Sequence, residues 1–421
     1  MINTIDKCDT KKRYIIPDFL RGAALLGICS ANFPEFALYT FQSPDIVAAM
    51  PTAGIDKVVK YFQYVFIDGK FYTLFSLLFG VGFSIILSNS ARNNRNGLRI
   101  FYRRMIVLLL IGFLHLLCLW AGDILILYAF LGLFLPLFRN ASDKKLLIYS
   151  VVLLLFPVLV DVCITFFGWN LSAPVIRATQ YFHDKAGITK NNFPVWLAEA
   201  DSYVDVLKFN LAGAFIRMQE FIDGNRAFKV MGLFIIGFYI GKNRMYANPE
   251  DYKKSLRKIR SVGFVVGLPL SILYAWNAMN GYPSGLAGSA ILYAISVFPL
   301  SFAYISAICL FYIKKKERRI FHIVAAPGRM ALTNYMMQSV FGIIIFYGIG
   351  FGLGAKIGLV YVELIALGVY LVQIIYSYVW LHYLRFGPME WGWRMLTYGE
   401  WLSITLITNY KNEKIDQKHI F

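Results

Sequence analysis

Two residues in the run RRMIVLLLIGFLHLLCLWAGDILILYAFLGL, Arg103 to Leu133, have types and spacing that suit chemistry: His115 and Asp123. His115 sits among aliphatic residues, where an imidazole carries a cost that Ala or Leu would not. An ionisable group inside a membrane span is read by default as functional. The Ala121-Gly122 break turns the chain back on itself, so the two side chains meet near one membrane face instead of standing two turns apart on one helix. So placed, the imidazole would serve as a general base, with the carboxylate fixing its tautomer. Both residues also have structural uses: His115 as a hydrogen-bonding strut, and Asp123 as the N-cap of the helix it opens.

Further polar residues fall inside or beside apolar runs. Asn32 lies near the outer end of the first run, where an amide must find partners. It either bonds between helices or donates to an oxyanion. Asp18 and Arg21, three apart, can pair at the inner boundary. Asp68 and Lys70 flank Gly69 at the outer mouth of the second membrane helix, placed to bind a polar substrate or to anchor the span. Pro327-Gly328-Arg329 starts a helix, followed by Thr333, Asn334, Gln338 and Ser339. A stripe of Arg329, Asn334 and Gln338 is too costly to face lipid. It either joins helices or lines an inward cavity for an anionic ligand. Glu390 and Arg394 are spaced i,i+4, with Trp391 and Trp393 between them suited to the interface, as in a surface helix that props a bundle.

The elements that must position these residues are membrane helices. Of 421 residues, 58% are hydrophobic and only 16% charged, against about a quarter charged in soluble domains. The net charge of +18 comes from short basic clusters between apolar runs, the pattern of cytoplasmic loops rather than of nucleic-acid binding. Five cysteines match no disulfide framework and no metal motif. The sequence has no P-loop, no Gly-x-Ser-x-Gly and no His-Glu-x-x-His, and so gives no support to nucleotide hydrolysis or zinc-peptidase chemistry. The first apolar run lacks a small-x-small cleavage site and is expected to remain as the first span.

Read in order, the chain gives about ten transmembrane helices with both termini cytoplasmic. Lys7, Lys11, Lys12 and Arg13 precede the first, Ile15 to Tyr39. The second has an interfacial part, Val58 to Ile67, and a membrane part after Lys70. His115 and Asp123 belong to spans three and four. The fifth runs from Leu146 to Phe167, and an amphipathic segment, residues 169–226, then covers the outer face. Spans six to ten are Phe228–Gly241, Ser261–Met279, Gly285–Ile313, Met330–Phe351 and Gly358–Tyr383. A basic, Trp-rich cytoplasmic tail, residues 386–421, ends a single membrane domain. This arrangement puts about thirty of the 42 Lys and Arg inside. No internal repeat of the kind common in secondary transporters is evident.

The blocks DFLRGAALLGICSAN, GKFYTLFSLLFGVGF, RRMIVLLLIGFLH with WAGDILILYA, GRMALTNYMMQS and RFGPMEWGWRMLTYG resemble, in order and over nearly the whole chain, the YeiB-like family of bacterial inner-membrane proteins, a domain of unknown function. The first block also resembles the opening of the heparan-α-glucosaminide N-acetyltransferase family, with Asp18, Arg21, Gly22 and Asn32 at the matching positions. That likeness implies transfer of an acyl group from cytoplasmic acyl-CoA to a sugar on the far side, using an Asn and a His. The family's His follows soon after its Asn, and no histidine stands between Asn32 and Lys70. His115 therefore rests on the argument from its own surroundings. The expectation is an acyltransferase of the bacterial cytoplasmic membrane, with acyl-CoA as donor and an envelope glycan or lipid as acceptor. It would use His115, Asp123 and Asn32 and need neither metal nor nucleic acid. A proton-coupled transporter of a small polar solute and a structural membrane subunit are the alternatives.

Overall fold

A computed structural model describes residues 14–316 and 318–405. The basic N-terminal cluster, Cys8 and the tail past residue 405 lie outside the described residues. Within them the protein is all-α, with sixteen α-helices and no strand. The first is α1 (Ile15–Phe36), followed by α2 (Pro44–Ala49), α3 (Ala53–Phe66) and α4 (Lys70–Arg92). Gly69, at φ +75°, separates α3 from α4, a backbone conformation that glycine adopts without steric cost.

The helix α5 (Gly97–Leu114) runs into a π turn, His115–Leu119, and α6 (Leu125–Gly132) follows. Then come α7 (Asp143–Phe167), α8 (Ala173–Ala186), α9 (Tyr203–Asp223) and α10 (Arg226–Lys242). The chain closes with α11 (Lys253–Met279), α12 (Gly285–Lys314), α13 (Arg319–Arg329), α14 (Ala331–Phe346), α15 (Leu359–Tyr383) and α16 (Pro388–Tyr398).

Among the described residues, six stretches are long and apolar enough to cross a membrane: Ala53–Arg92, Gly97–Leu119, Asp143–Phe167, Pro249–Met279, Gly285–Lys314 and Leu359–Tyr383. The other four of the ten expected spans correspond to α1, α6, α10 and α14. Asp18, Arg21 and Asn32 dilute the hydropathy of α1. The 8 residues of α6 rise only about 12 Å, and α10 and α14 have 17 and 16 residues, short of the roughly 20 that hydrocarbon requires.

Small residues set the closest packing. A Cβ on Gly328 of α13 would overlap the Asp18 carbonyl of α1, and one on Gly22 would overlap the Val324 carbonyl. Here two backbones touch, which glycine alone permits. The same logic joins α4 to α10, where Gly80 and Gly237 face each other's backbones. Around this frame, Phe79 of α4 stacks on Phe234 of α10 at 4.4 Å, an aromatic contact in the same seam.

Candidate functional site

The π turn places His115 where α5, α6, α9 and α14 converge. Single π turns inside α-helices arise where one residue's geometry is set by something other than the helix. The His115 ring is fully buried, and Asp123 and Ser339 are about 1% exposed. Its Nδ1 lies 2.8 Å from Asp123 Oδ2 and its Nε2 2.8 Å from Ser339 Oγ. Asp123 Oδ1 accepts the Ile126 amide at 2.9 Å, so this carboxylate both caps α6 and holds the ring. With Asp123 accepting, Nδ1 carries the proton, and Nε2 is left to accept from the Ser339 hydroxyl. The result is a continuous line, Asp123–His115–Ser339, drawn from three separate helical segments. Tyr335, one turn before Ser339, lays its ring 5.1 Å from the imidazole. Its buried hydroxyl has no hydrogen-bond partner among the described residues.

Breaking the helix at residue 120 strands carbonyl oxygens, which in a membrane need internal donors. The helix α9 supplies them. Tyr203 donates from its hydroxyl to the Cys118 carbonyl, Asn210 Nδ2 to Leu117 O at 3.3 Å, and Arg217 Nε to Ala121 O at 3.4 Å. Gly213 lies against Ala121, so α9 clamps the whole turn. The amphipathic segment expected over residues 169–226 thus contains the helix that completes the backbone bonding of the site.

Beside the turn is a small cavity of about 40 Å³, bounded by Glu35, Trp120, Gly122, Arg217, Glu220 and Tyr347. That is room for one or two waters. Arg217 ties it together, with Nη2 3.2 Å from Glu35 and Nη1 bonded to Glu220. Trp120 stacks on Phe36 at 4.3 Å and stands edge-on to His115, with ring centres 6.4 Å apart. The indole is therefore the partition between cavity and imidazole. A Cβ at position 122 would strike that indole, so Gly122 is what lets Trp120 fold over the turn.

The other candidate residues are distributed as follows. Asn32 is partly buried on the α1 face that carries Ile28 and Glu35. Ile28 packs beside Ile124 and Tyr335 and Glu35 borders the cavity, so Asn32 stands between them without a hydrogen bond to His115. Asp18 and Arg21 pair at 3.1 Å. Lys70 is fully buried, donating to Tyr64 O at 2.8 Å, while Asp68 accepts from the Tyr274 hydroxyl at 2.6 Å. Asn334 donates to Pro327 O and Ser377 Oγ, at 3.1 and 3.0 Å. Gln338 donates to Leu25 O and Gln373 Oε1, at 3.2 and 3.1 Å. These are bonds that join α1, α13, α14 and α15, and Arg329 lies at the α13–α14 junction. Glu390 caps α14, accepting the Leu332 and Thr333 amides at 2.6 and 3.1 Å. Arg394 covers the Phe386 ring at 4.7 Å.

Two participants, and one acid outside the site, escaped sequence reasoning. Ser339 was visible only as the last polar residue of the span-nine stripe. Glu35 follows Asn32 by three positions, a helical spacing that signals a shared face. Glu363 of α15 accepts from Ser30 and from Gln63, an intramembrane acid that the apolar run around it flags on its own.

A bundle of apolar helices with a buried Asp–His–Ser line defines a polytopic helical membrane protein with an internal polar centre. The chain belongs to the YeiB-like DUF418 family. Residues 240–400 match the family model "Protein of unknown function (DUF418)". The chain is 30% identical over 404 residues to uncharacterized protein YxaH of Bacillus subtilis (strain 168), covering 94% of this chain and 96% of that one. It is 28% identical over 415 residues to uncharacterized protein YeiB of Escherichia coli (strain K12), covering 92% and 96%. No solved structure matches it.

Proposed function

We propose that the protein is a membrane-embedded acyltransferase, moving an acyl group from cytoplasmic acyl-CoA to a hydroxyl or amine on an envelope sugar or lipid. The supporting observation is the Asp123–His115–Ser339 line, in which a carboxylate fixes the ring and Nε2 already accepts from a hydroxyl. That arrangement deprotonates an oxygen nucleophile. In this reading the acceptor enters past Trp120 and replaces Ser339 at Nε2. Its oxygen attacks the thioester carbonyl as His115 takes the proton, and the departing CoA sulfur receives that proton back. Asn32 donates to the carbonyl oxygen as charge builds on it. The donor approaches from the basic end, near Arg329, with Asn334 and Gln338 behind it. Both termini and the basic loops then face the cytoplasm across the bacterial inner membrane, and α8 and α9 lie outside.

The test is transfer from radiolabelled acetyl-CoA by the full chain in proteoliposomes made with envelope lipid. Label should move to lipid or glycan with wild type and not with His115→Ala. Equal transfer by the two proteins removes the assignment.

One observation favours a second reading. The three side chains are sealed from solvent, and a buried chain of hydrogen bonds is also a proton path. Solute uptake that is driven by a proton gradient and indifferent to CoA would make the protein a transporter.

A further inference from the structure

Pro34 stands inside α1 and has no N–H, so the Ser30 carbonyl loses the amide that would bond it from four residues on. A bare carbonyl in a membrane needs another donor. It takes one from a second helix: Gln63 Nε2 of α3 donates to Ser30 O at 3.2 Å. The same nitrogen lies 2.5 Å from Glu363 Oε1 of α15, and the Ser30 hydroxyl donates to Glu363 Oε2. Ser30, Gln63 and Glu363 thus close a ring of polar atoms across three helices. Gln63 and Glu363 are half-buried, so the ring is within reach of an ion.

The charge in this ring is one-sided. No Lys, Arg or His lies within ion-pair distance of Glu363 among the described residues, and its side-chain partners, Ser30 and Gln63, are neutral. A carboxylate in apolar surroundings is costly unless a positive charge meets it. The neighbouring acid, Asp56 of α3, is engaged elsewhere. Its Oδ1 accepts the Val360 amide at 2.9 Å and its Oδ2 the Thr52 hydroxyl at 2.8 Å. The first of these bonds pins α3 to the start of α15, one turn before Glu363, and so holds the ring in shape.

We propose that this ring is a sodium site. The Ser30 carbonyl and hydroxyl oxygens, the Gln63 amide oxygen and the Glu363 carboxylate are its ligands. A half-turn of the Gln63 amide exchanges its nitrogen for its oxygen, and the Ser30 hydroxyl rotates to turn its hydrogen away. Oxygen donors of this kind suit hard cations, and carbonyls freed from helical bonding hold sodium in membrane proteins. One carboxylate balances one charge, so a divalent ion would leave positive charge uncompensated in the bundle. A proton occupies a single lone pair, and oxygens gathered from three helices exceed its need. The ring is tight, which favours sodium over the larger potassium. The site shares no residue with the Asp123–His115–Ser339 line and rests on neither reading of it.

Binding of radiolabelled sodium to the purified full chain, at constant ionic strength in choline chloride, decides it. Wild type should bind sodium saturably, and Glu363→Gln, of similar shape and uncharged, should bind it about tenfold more weakly or not at all. Pro34→Ala returns an amide to the Ser30 carbonyl and should also weaken binding about tenfold, with every ligand side chain intact. A ring that only joins helices would not respond in this way. Asp161→Asn, which alters an acid of α7 bonded to Asn225, should bind like wild type. Potassium and calcium at the sodium concentration should leave the label bound. If Glu363→Gln fails to fold, as judged by gel filtration and circular dichroism, Pro34→Ala and Ser30→Ala carry the test. Wild type that binds no sodium, or folded variants that all bind as wild type does, overturns the site, as does equal loss in Asp161→Asn. Displacement by calcium overturns the single-charge assignment, and displacement by potassium as readily as by unlabelled sodium overturns the choice of ion.

Discussion

His115 Nε2 and Ser339 Oγ, 224 positions apart in the chain, lie 2.8 Å from each other. This contact joins the α5–α6 hairpin to α14 and completes the line that begins at Asp123. Removing the ring leaves a buried carboxylate oxygen and a buried hydroxyl without partners. Each such loss costs about 1–3 kcal/mol. His115→Ala should therefore lower the unfolding temperature in detergent as well as transfer. Ser339→Ala, which removes one neutral bond, should cost about 1 kcal/mol and leave Nε2 free. A double-mutant cycle of His115→Ala with Asp123→Asn should show coupling well above 0.5 kcal/mol, since the residues share one network. Strict additivity would mean that the Nδ1 contact carries no energy.

Trp120 separates the cavity from the imidazole, so its removal should merge the two spaces. Trp120→Ala is expected to let a water-soluble His reagent, diethyl pyrocarbonate, reach His115. Modification mapped by peptide mass spectrometry should rise at least tenfold over wild type. A ring that stays unmodified would place the barrier elsewhere.

The contact of α1 with α13 through Gly22 and Gly328 leaves no room for a methyl group. Gly328→Ala should destabilise the protein by about 1–3 kcal/mol, the range for overpacking a close contact. Gly82→Ala should be tolerated, because open space surrounds that position. Thermal shifts of the two variants in the same detergent make the comparison.

Burial against α14 raises the Glu390 carboxyl above its ordinary range, while the Thr333 bonds pull it back. A folded-state pKa above the unfolded value gives stability that is complete below the unfolded pKa, about 4.5. It is lost as pH rises through the folded one. Docking of α16 should therefore weaken as pH rises from about 4.5 through that higher folded value. Glu390→Gln, which keeps an acceptor and cannot ionise, should flatten the slope. Hydrogen exchange of the α16 amides, corrected for intrinsic rates, measures it.

The sequence made the apolar helices legible because their boundaries are set by composition. The expected fifth, eighth and tenth spans lie within a few residues of α7, α12 and α15. Their ends coincide with a glycine in the left-handed region, Gly168, and with basic residues that stop a membrane run. The ninth was expected to reach Phe351, yet the helix stops at Phe346, where the following backbone bonds to residues near α9. The Gly348 amide donates to Leu197 O. Such a stop depends on a partner some 150 positions away in the chain. The pairing of His115 with Asp123 could be read from the break between them. Ser339 could not, because nothing local distinguishes a serine that meets a distant ring from one that bonds its own helix. Glu390 shows the same limit: its i,i+4 spacing pointed to Arg394, and the carboxylate caps a different helix.

The donors that serve the π turn come from far downstream. Tyr203, Asn210 and Arg217 follow their carbonyls by 85, 93 and 96 positions. When the α5–α6 hairpin leaves the ribosome, α9 does not yet exist, and those oxygens must be met by water or by the insertion machinery. The hairpin can settle into its final place only after about a hundred more residues have been synthesised. The turn at the centre of the molecule thus waits on a helix made later, and a nascent chain truncated before α9 would carry those three carbonyls without their donors.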